Sequence, residues 1–131
     1  MTVGLVTAAF ANKVLDHMLR AAASTAPAAN YVKLHTADPG AAATTAPSAN
    51  TTRVVVTYAA AASGSCALNG TPPSWATWAA GAETLSHISV WDASTAGTYL
   101  FSAALTTPKA ITNGDTFTLS SLTVSLAPLA A

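Results

Sequence analysis

The sequence predicts a mainly β fold with one N-terminal helix, built as an antiparallel β-sandwich or jelly-roll-like domain. Three observations point there. Apolar residues recur with a helical period only near the N-terminus, in "AAFANKVLDHMLRAAA". From Tyr31 onward the recurring period is two. The connections are short and rich in turn residues, with no repeated strand-helix-strand unit, which argues against a parallel sheet.

The helix is expected over residues 9–23. Phe10, Val14, Leu15, Met18 and Leu19 form one stripe, and Lys13, Asp16, His17 and Arg20 fall off it. Pro27 cannot continue it. In "YVKLHTADPG", Val32, Leu34 and Thr36 lie on one side of an extended segment and Tyr31, Lys33 and His35 on the other. Asp38-Pro39-Gly40 closes it as a turn. Residues 41–52 lack periodicity and read as a mobile loop. "RVVVTY", Arg53 to Tyr58, is β-branched and reads as a strand, whereas "AAAASGSCALNGTPPSW" reads as irregular. "LSHISVWD" and "TYLFSAAL" alternate on either side of Ala93–Gly97 and form a hairpin. "PKAITNGDTFTLSSLTVSL" repeats the pattern around Asn113-Gly114. The expected organisation is one domain over 1–131, with an extended arm at 1–8, the helix at 9–23 and an antiparallel β domain at 31–126 carrying the loop at 41–52.

Only 8% of the 131 residues are charged, five basic against five acidic, where an ordinary soluble chain carries roughly 25%. Lys13, Arg20, Lys33, Arg53 and Lys109 are scattered, so the clusters that neutralise phosphates or hold an acidic membrane are missing, and neither nucleic acid nor membrane is expected as a partner. A net charge of zero leaves little self-repulsion and suits an assembly component. The mean hydropathy of +0.42 is inflated by alanine, and no window reaches the roughly 18 apolar residues of a spanning helix. "MTVGLVTAAFANK" has no basic residue ahead of its apolar run and does not read as a secretory signal. The lone Cys66 excludes an intrachain disulfide.

No motif carries catalysis. His35 with Asp38 could be a base and its orienter, but no nucleophile or metal joins them in a recognisable setting, so a scaffold role is expected. His17 reads as a surface or interface residue and His87 as a core or interface one. Three histidines and one cysteine lack zinc-ligand spacing, "SGSCALNG" does not fit the nucleophile elbow, and no glycine loop cradles phosphate. No catalytic, cofactor-binding or metal-binding residue is assigned, and no cofactor is expected. Trp75 and Trp78 are divided between core and interface, since both favour large aromatics. With Val3, Leu5 and Val6 of the uncharged arm, they are the candidate interface residues.

The segments "NKVLDHMLR", "YVKLHTADPG" and "SHISVWDASTAGTYLFSAALTTPKAITNGDTFTLSSLTVSL" resemble the small virion proteins of tailed bacteriophages, especially those of actinobacteria, known as phage tail fibre proteins. The resemblance covers most of the chain. Its most specific parts are Leu34 to Gly40, Trp91 to Gly97, and Leu105 to Thr116, while "APSANTTRVVV" departs from the Gly-rich, Glu-containing stretch found there in the family.

The resemblance implies a non-enzymatic virion protein, made in the host cytoplasm and placed on the outer surface of the capsid or on the tail. A fibre shaft needs a long repeat, which this chain lacks. Proteins of this kind also resemble capsid decoration or minor capsid proteins, often trimers at lattice threefold positions. The main expectation is therefore a decoration protein that binds the major capsid protein as a homo-oligomer, a trimer. The alternative is a tail-tip or tail-fibre protein that binds a host-surface glycan through its tryptophans. The helix is expected against its own sheet, with Met1 to Ala8 reaching to neighbouring subunits.

Overall fold

A computed structural model describes residues 3–126. Strands β1 (Gly4–Leu5), β2 (Asn30–His35), β3 (Val54–Tyr58), β4 (Ser65–Asn69), β6 (Glu83–Trp91), β7 (Tyr99–Ile111) and β9 (Thr123–Ser125) form one antiparallel sheet in the order β1-β7-β6-β2-β3-β4-β9. The sheet curls into a half-barrel, and β5 (Ser74–Trp75) pairs with β8 (Phe117–Thr118) as a separate ribbon. This is the expected mainly β fold with its N-terminal helix.

The register decides which side chains go inside. Val32 stands opposite Val90 and Val54, Leu34 opposite Ile88, Asn30 opposite Val56, and Val90 opposite Phe101. Since successive side chains alternate between faces, these residues line the concave side. There they meet Trp75, Trp78, Leu85, Ile111, Phe117, Leu119 and Leu122 in one buried cluster. Trp75 and Phe117, paired across the ribbon with rings 5.7 Å apart, both belong to that cluster and so tie the ribbon to it.

The loop at 41–52, expected to be mobile, is held by hydrogen bonds to β2 and β6. Thr36 N–H donates to Ala46 O, Ser48 N–H to Leu34 O, and Glu83 accepts from the Ser48 hydroxyl and the Ala49 amide. The loop thereby roofs the outer face of β2, with its own Ala43 and Ser48 buried. Asp38-Pro39-Gly40 turns as expected, with Gly40 at φ +76° and its N–H on Asp38 Oδ1 at 2.9 Å.

The N-terminal segment differs from expectation. Gly4 and Leu5 are not a free arm but pair with Ser102 and Phe101, and Val6 N–H donates to Leu100 O at 2.8 Å. Leu5 packs on the core cluster. An unpaired edge on β7 is reason enough: it offers backbone partners that an extended arm in water lacks. A π-helical turn over Thr7–Ala11 leads into α1, Asn12–Leu19, well short of residue 23. Ala21 takes φ +53° and Ala22 N–H reaches back to Asp16 O, a left-handed helix stop made by an alanine instead of a glycine. The segment 65–69, expected to be irregular, is strand β4.

Candidate interaction surface

His35 sits where chemistry could have been. Its Nε2 is 2.8 Å from Ser89 Oγ and its Nδ1 3.0 Å from Thr45 O. Because Thr45 O can only accept, Nδ1 carries the proton, Nε2 accepts from the Ser89 hydroxyl, and Ser89 Oγ accepts in turn from Trp91 Nε1–H at 2.9 Å. His35 and Ser89 are both fully buried beneath the loop. Burial holds the imidazole below its ordinary pKa, with Lys33 and His87 pushing the same way against its hydrogen bonding to the Thr45 and Ala46 backbone. The arrangement is a satisfied polar link between β2, β6 and the loop, and no substrate can reach it. Asp38 turns its carboxylate to Gly40 N–H, away from any role as orienter. His87 Nδ1 meets Ser86 Oγ, and His17 Nδ1 donates to Ala22 O. Among the described residues no group of three or more His, Cys, Asp or Glu could hold a metal.

The tryptophans named as interface residues are core. Trp75 and Trp78 are 3% and 1% exposed, and their indole N–H groups donate to Thr52 O and Gly81 O, each at 2.9 Å. Neither offers a face to a partner. The β5–β8 ribbon and the turn at Gly81 enclose them, which their spacing alone did not reveal. Leu5 is half-buried against Phe101's strand, and Val3 and Val6 are half-buried beside it.

Sheet alternation puts another aromatic row on the outer face: Tyr31, Trp91 and Tyr99 stand side by side across β2, β6 and β7. The Arg53 guanidinium lies 3.9 Å over the Trp91 ring and is pinned by Ala93 O and Ala96 O. Tyr99 packs on the same indole at 5.6 Å. Trp91 is therefore already stacked, and Tyr31 and Lys33 form the half-exposed rim.

The surface that stands out is α1. Phe10 packs edge-on to Phe101 at 6.1 Å and anchors the segment, but α1 contains no buried residue. Leu15, Met18 and Leu19 are 55%, 73% and 78% exposed, so the helix does not lie against its own sheet as expected. Asp16 and Arg20 pair with each other at 3.0 Å. Beside α1, an apolar groove of about 340 Å³ opens between Phe10 and Val14 on one side and β9 on the other. Tyr58, Cys66 and Val124 form its floor and wall, and Leu126 its exposed rim. Two buried polar atoms at this groove, Tyr58 OH and Asn30 Oδ1, have no hydrogen-bond partner. Burial raises the Tyr58 phenol far above its usual pKa. Sequence reasoning found the apolar stripe of α1 but not the groove, whose lining comes from seven separate elements.

No curated protein gives a significant match to the chain. A protein-family model, that of the podophage GP4 fiber I protein gp80, matches residues 5–127, from the second residue of β1 to just beyond β9. That match takes in both the exposed helix and the groove, and the chain belongs to the family of the podophage GP4 fiber I protein gp80.

Proposed function

We propose that the protein is a non-enzymatic structural subunit of a bacteriophage fibre, assembling as a homo-oligomer, a trimer, on the outside of the virion. The observation that carries this reading is the exposed apolar side of α1 in a chain of a phage fibre family. Contiguous exposed apolar surface marks an interaction site, and a chain without net charge can bring copies together without repulsion. The family match favours the fibre over decoration of the capsid lattice. Light scattering on the purified chain should give three times the monomer mass, and antibody labelling of intact particles should decorate fibres. A monomer at micromolar concentration, or label spread over the capsid lattice, would sink the proposal.

A second reading, host-surface recognition by the same fibre, is favoured by the outer-face rim of Tyr31 and Lys33 beside the stacked Trp91. Binding to host cell-wall glycan should then fall at least tenfold in Tyr31→Ala. No binding to any wall fraction would remove it.

A further inference from the structure

We propose that the outer face of β2 binds an acidic sugar, with Lys33 and Arg53 taking its carboxylate and Tyr31 its ring; this rests on the host-recognition reading above and names the class of glycan that reading concerns.

The strand register assembles the site. Tyr31 stands opposite Trp91 and Lys33 opposite Ser89, while on the other side Tyr31 stands opposite Val55, so the same pairing carries Lys33 to Arg53. Alternation keeps Tyr31 and Lys33 on one face, roughly 7 Å apart. Arg53 precedes β3 and ends 3.9 Å over the Trp91 ring on β6, so its side chain crosses β2 on this face. Two of the chain's five basic residues therefore meet on one small patch.

They meet without a counter-charge. Among the described residues neither Lys33 nor Arg53 forms an ion pair, whereas Arg20 is paired with Asp16. Asp92 acts on Arg53 from the hairpin turn, where its carboxylate accepts from Thr98 N–H at 2.6 Å. Asp38 is turned to Gly40 N–H, and its charge bears on Tyr99 and not on Lys33. Burial, then the neighbouring Arg53, hold the Lys33 ammonium below its ordinary pKa, and Lys33 in turn pushes His35 down. A half-buried lysine that faces an arginine and a histidine with no carboxylate is held at a cost in free energy, and an anion set between the two cations removes that cost.

The site is also fixed in advance. Arg53 Nη1 is occupied by Ala93 O and Ala96 O, and the flat face of the guanidinium by the Trp91 ring. Its Nε and Nη2 make no hydrogen bond among the described residues, so the planar group offers donors in a fixed fork, which a carboxylate meets with both oxygens. The half-exposed Tyr31 side chain makes no hydrogen bond or ring contact among the described residues either. A pyranose can lay its C–H face on that ring and hold a carboxylate out to Lys33 and Arg53. A single-stranded nucleic acid would also stack and carry charge, but it needs a basic groove along its backbone, and Lys13, Arg20 and Lys109 lie on α1, at its end and far along β7.

Polygalacturonate, a polymer of acidic pyranoses, is the probe, with neutral dextran and oligo(dT) beside it, each titrated calorimetrically against the full-length chain. Polygalacturonate should bind and the other two should not, and its binding should weaken as sodium chloride is raised from about 50 mM to about 500 mM. Lys33→Gln and Tyr31→Ala should each weaken it about tenfold, while Lys33→Arg should hold it within about twofold. Because Lys33→Gln relieves the repulsion with Arg53, its thermal midpoint should equal or exceed the parent's; a lowered midpoint alongside the lost binding assigns Lys33 to the fold instead and overturns the site. Polygalacturonate that does not bind, or that binds Lys33→Gln as tightly as the parent, overturns it too, as does equal binding to dextran or oligo(dT). Host cell-wall glycan separates this site from the reading it rests on. A wall fraction that binds the parent and Lys33→Gln alike removes the acidic-sugar site and leaves host recognition standing, whereas no binding to any wall fraction removes host recognition itself.

Discussion

At the scale of single residues, His35 shows how a motif that could read as catalytic serves the fold. A fully buried imidazole that hands one proton to a carbonyl and takes one from a hydroxyl has both nitrogens satisfied, provided that it stays neutral. The folded state therefore binds a proton at His35 less readily than the unfolded chain does. Its contribution is present above the ordinary histidine pKa of about 6.5 and is lost as pH falls through that value toward the folded-state pKa. The midpoint of thermal unfolding should drop between pH 7.5 and pH 5, and His35→Gln should flatten that slope while lowering stability at pH 7.5. An equally steep slope in the variant would assign the effect elsewhere. Gly97 makes a second residue-scale case. It holds φ +75° in the turn after β6, where a Cβ would stand 2.7 Å from Ala93 Cβ and closer still to the Asp92 carboxylate. Gly97→Ala should cost about 1–3 kcal/mol, read from the denaturant midpoint, with both the left-handed backbone and the crowding contributing.

At the scale of elements, the N-terminal strand does work that its sequence did not disclose. "TVGLV" is uncharged and short, which fits a free arm and an edge strand equally well, and only the open side of β7 decides between them. Deleting Met1 to Ala8 thus removes part of the sheet and the lead into the Phe10 anchor. The truncated chain should lose cooperative stability, and Leu5→Ala, which empties a half-buried site, should cost about 1 kcal/mol in chemical unfolding. A truncated chain as stable as the parent would return the segment to the role of an arm. Other elements were hidden for similar reasons. β4 was obscured because "SGSCALN" has small residues where strands usually carry bulky ones, and its pairing with β3 and β9 supplies what propensity does not. β7 runs on through Pro108 because that stretch bulges: Leu85 pairs with Lys109 while His87 pairs with Ala104. The strands β2, β3 and β6, by contrast, were legible, since each is half or wholly buried and alternates accordingly.

At the scale of the whole molecule, the readable part is what local periodicity encodes, and the candidate site is what it does not. The groove joins Phe10, Asn30, Tyr58, Cys66 and Val124, residues far apart in the sequence whose meeting depends on how far the sheet curls. The fate of the tryptophans depends on long-range pairing too, because Trp75 is enclosed only once β5 has found β8. That dependence leads to a prediction about cooperativity. The ribbon shares no hydrogen-bonded strand with the half-barrel, yet Trp75, Trp78 and Phe117 belong to the same buried cluster as Val32, Leu34 and Val90. If packing couples the two sheets, they unfold together, as small single domains usually do. In Trp91→Phe the remaining indoles, Trp75 and Trp78, report the ribbon end alone, while far-UV circular dichroism reports the sheet. The two signals should trace one transition with a common midpoint in urea. A fluorescence change at lower urea, with the dichroism still native, would show that the ribbon melts by itself and that the shared buried cluster does not bind it to the barrel.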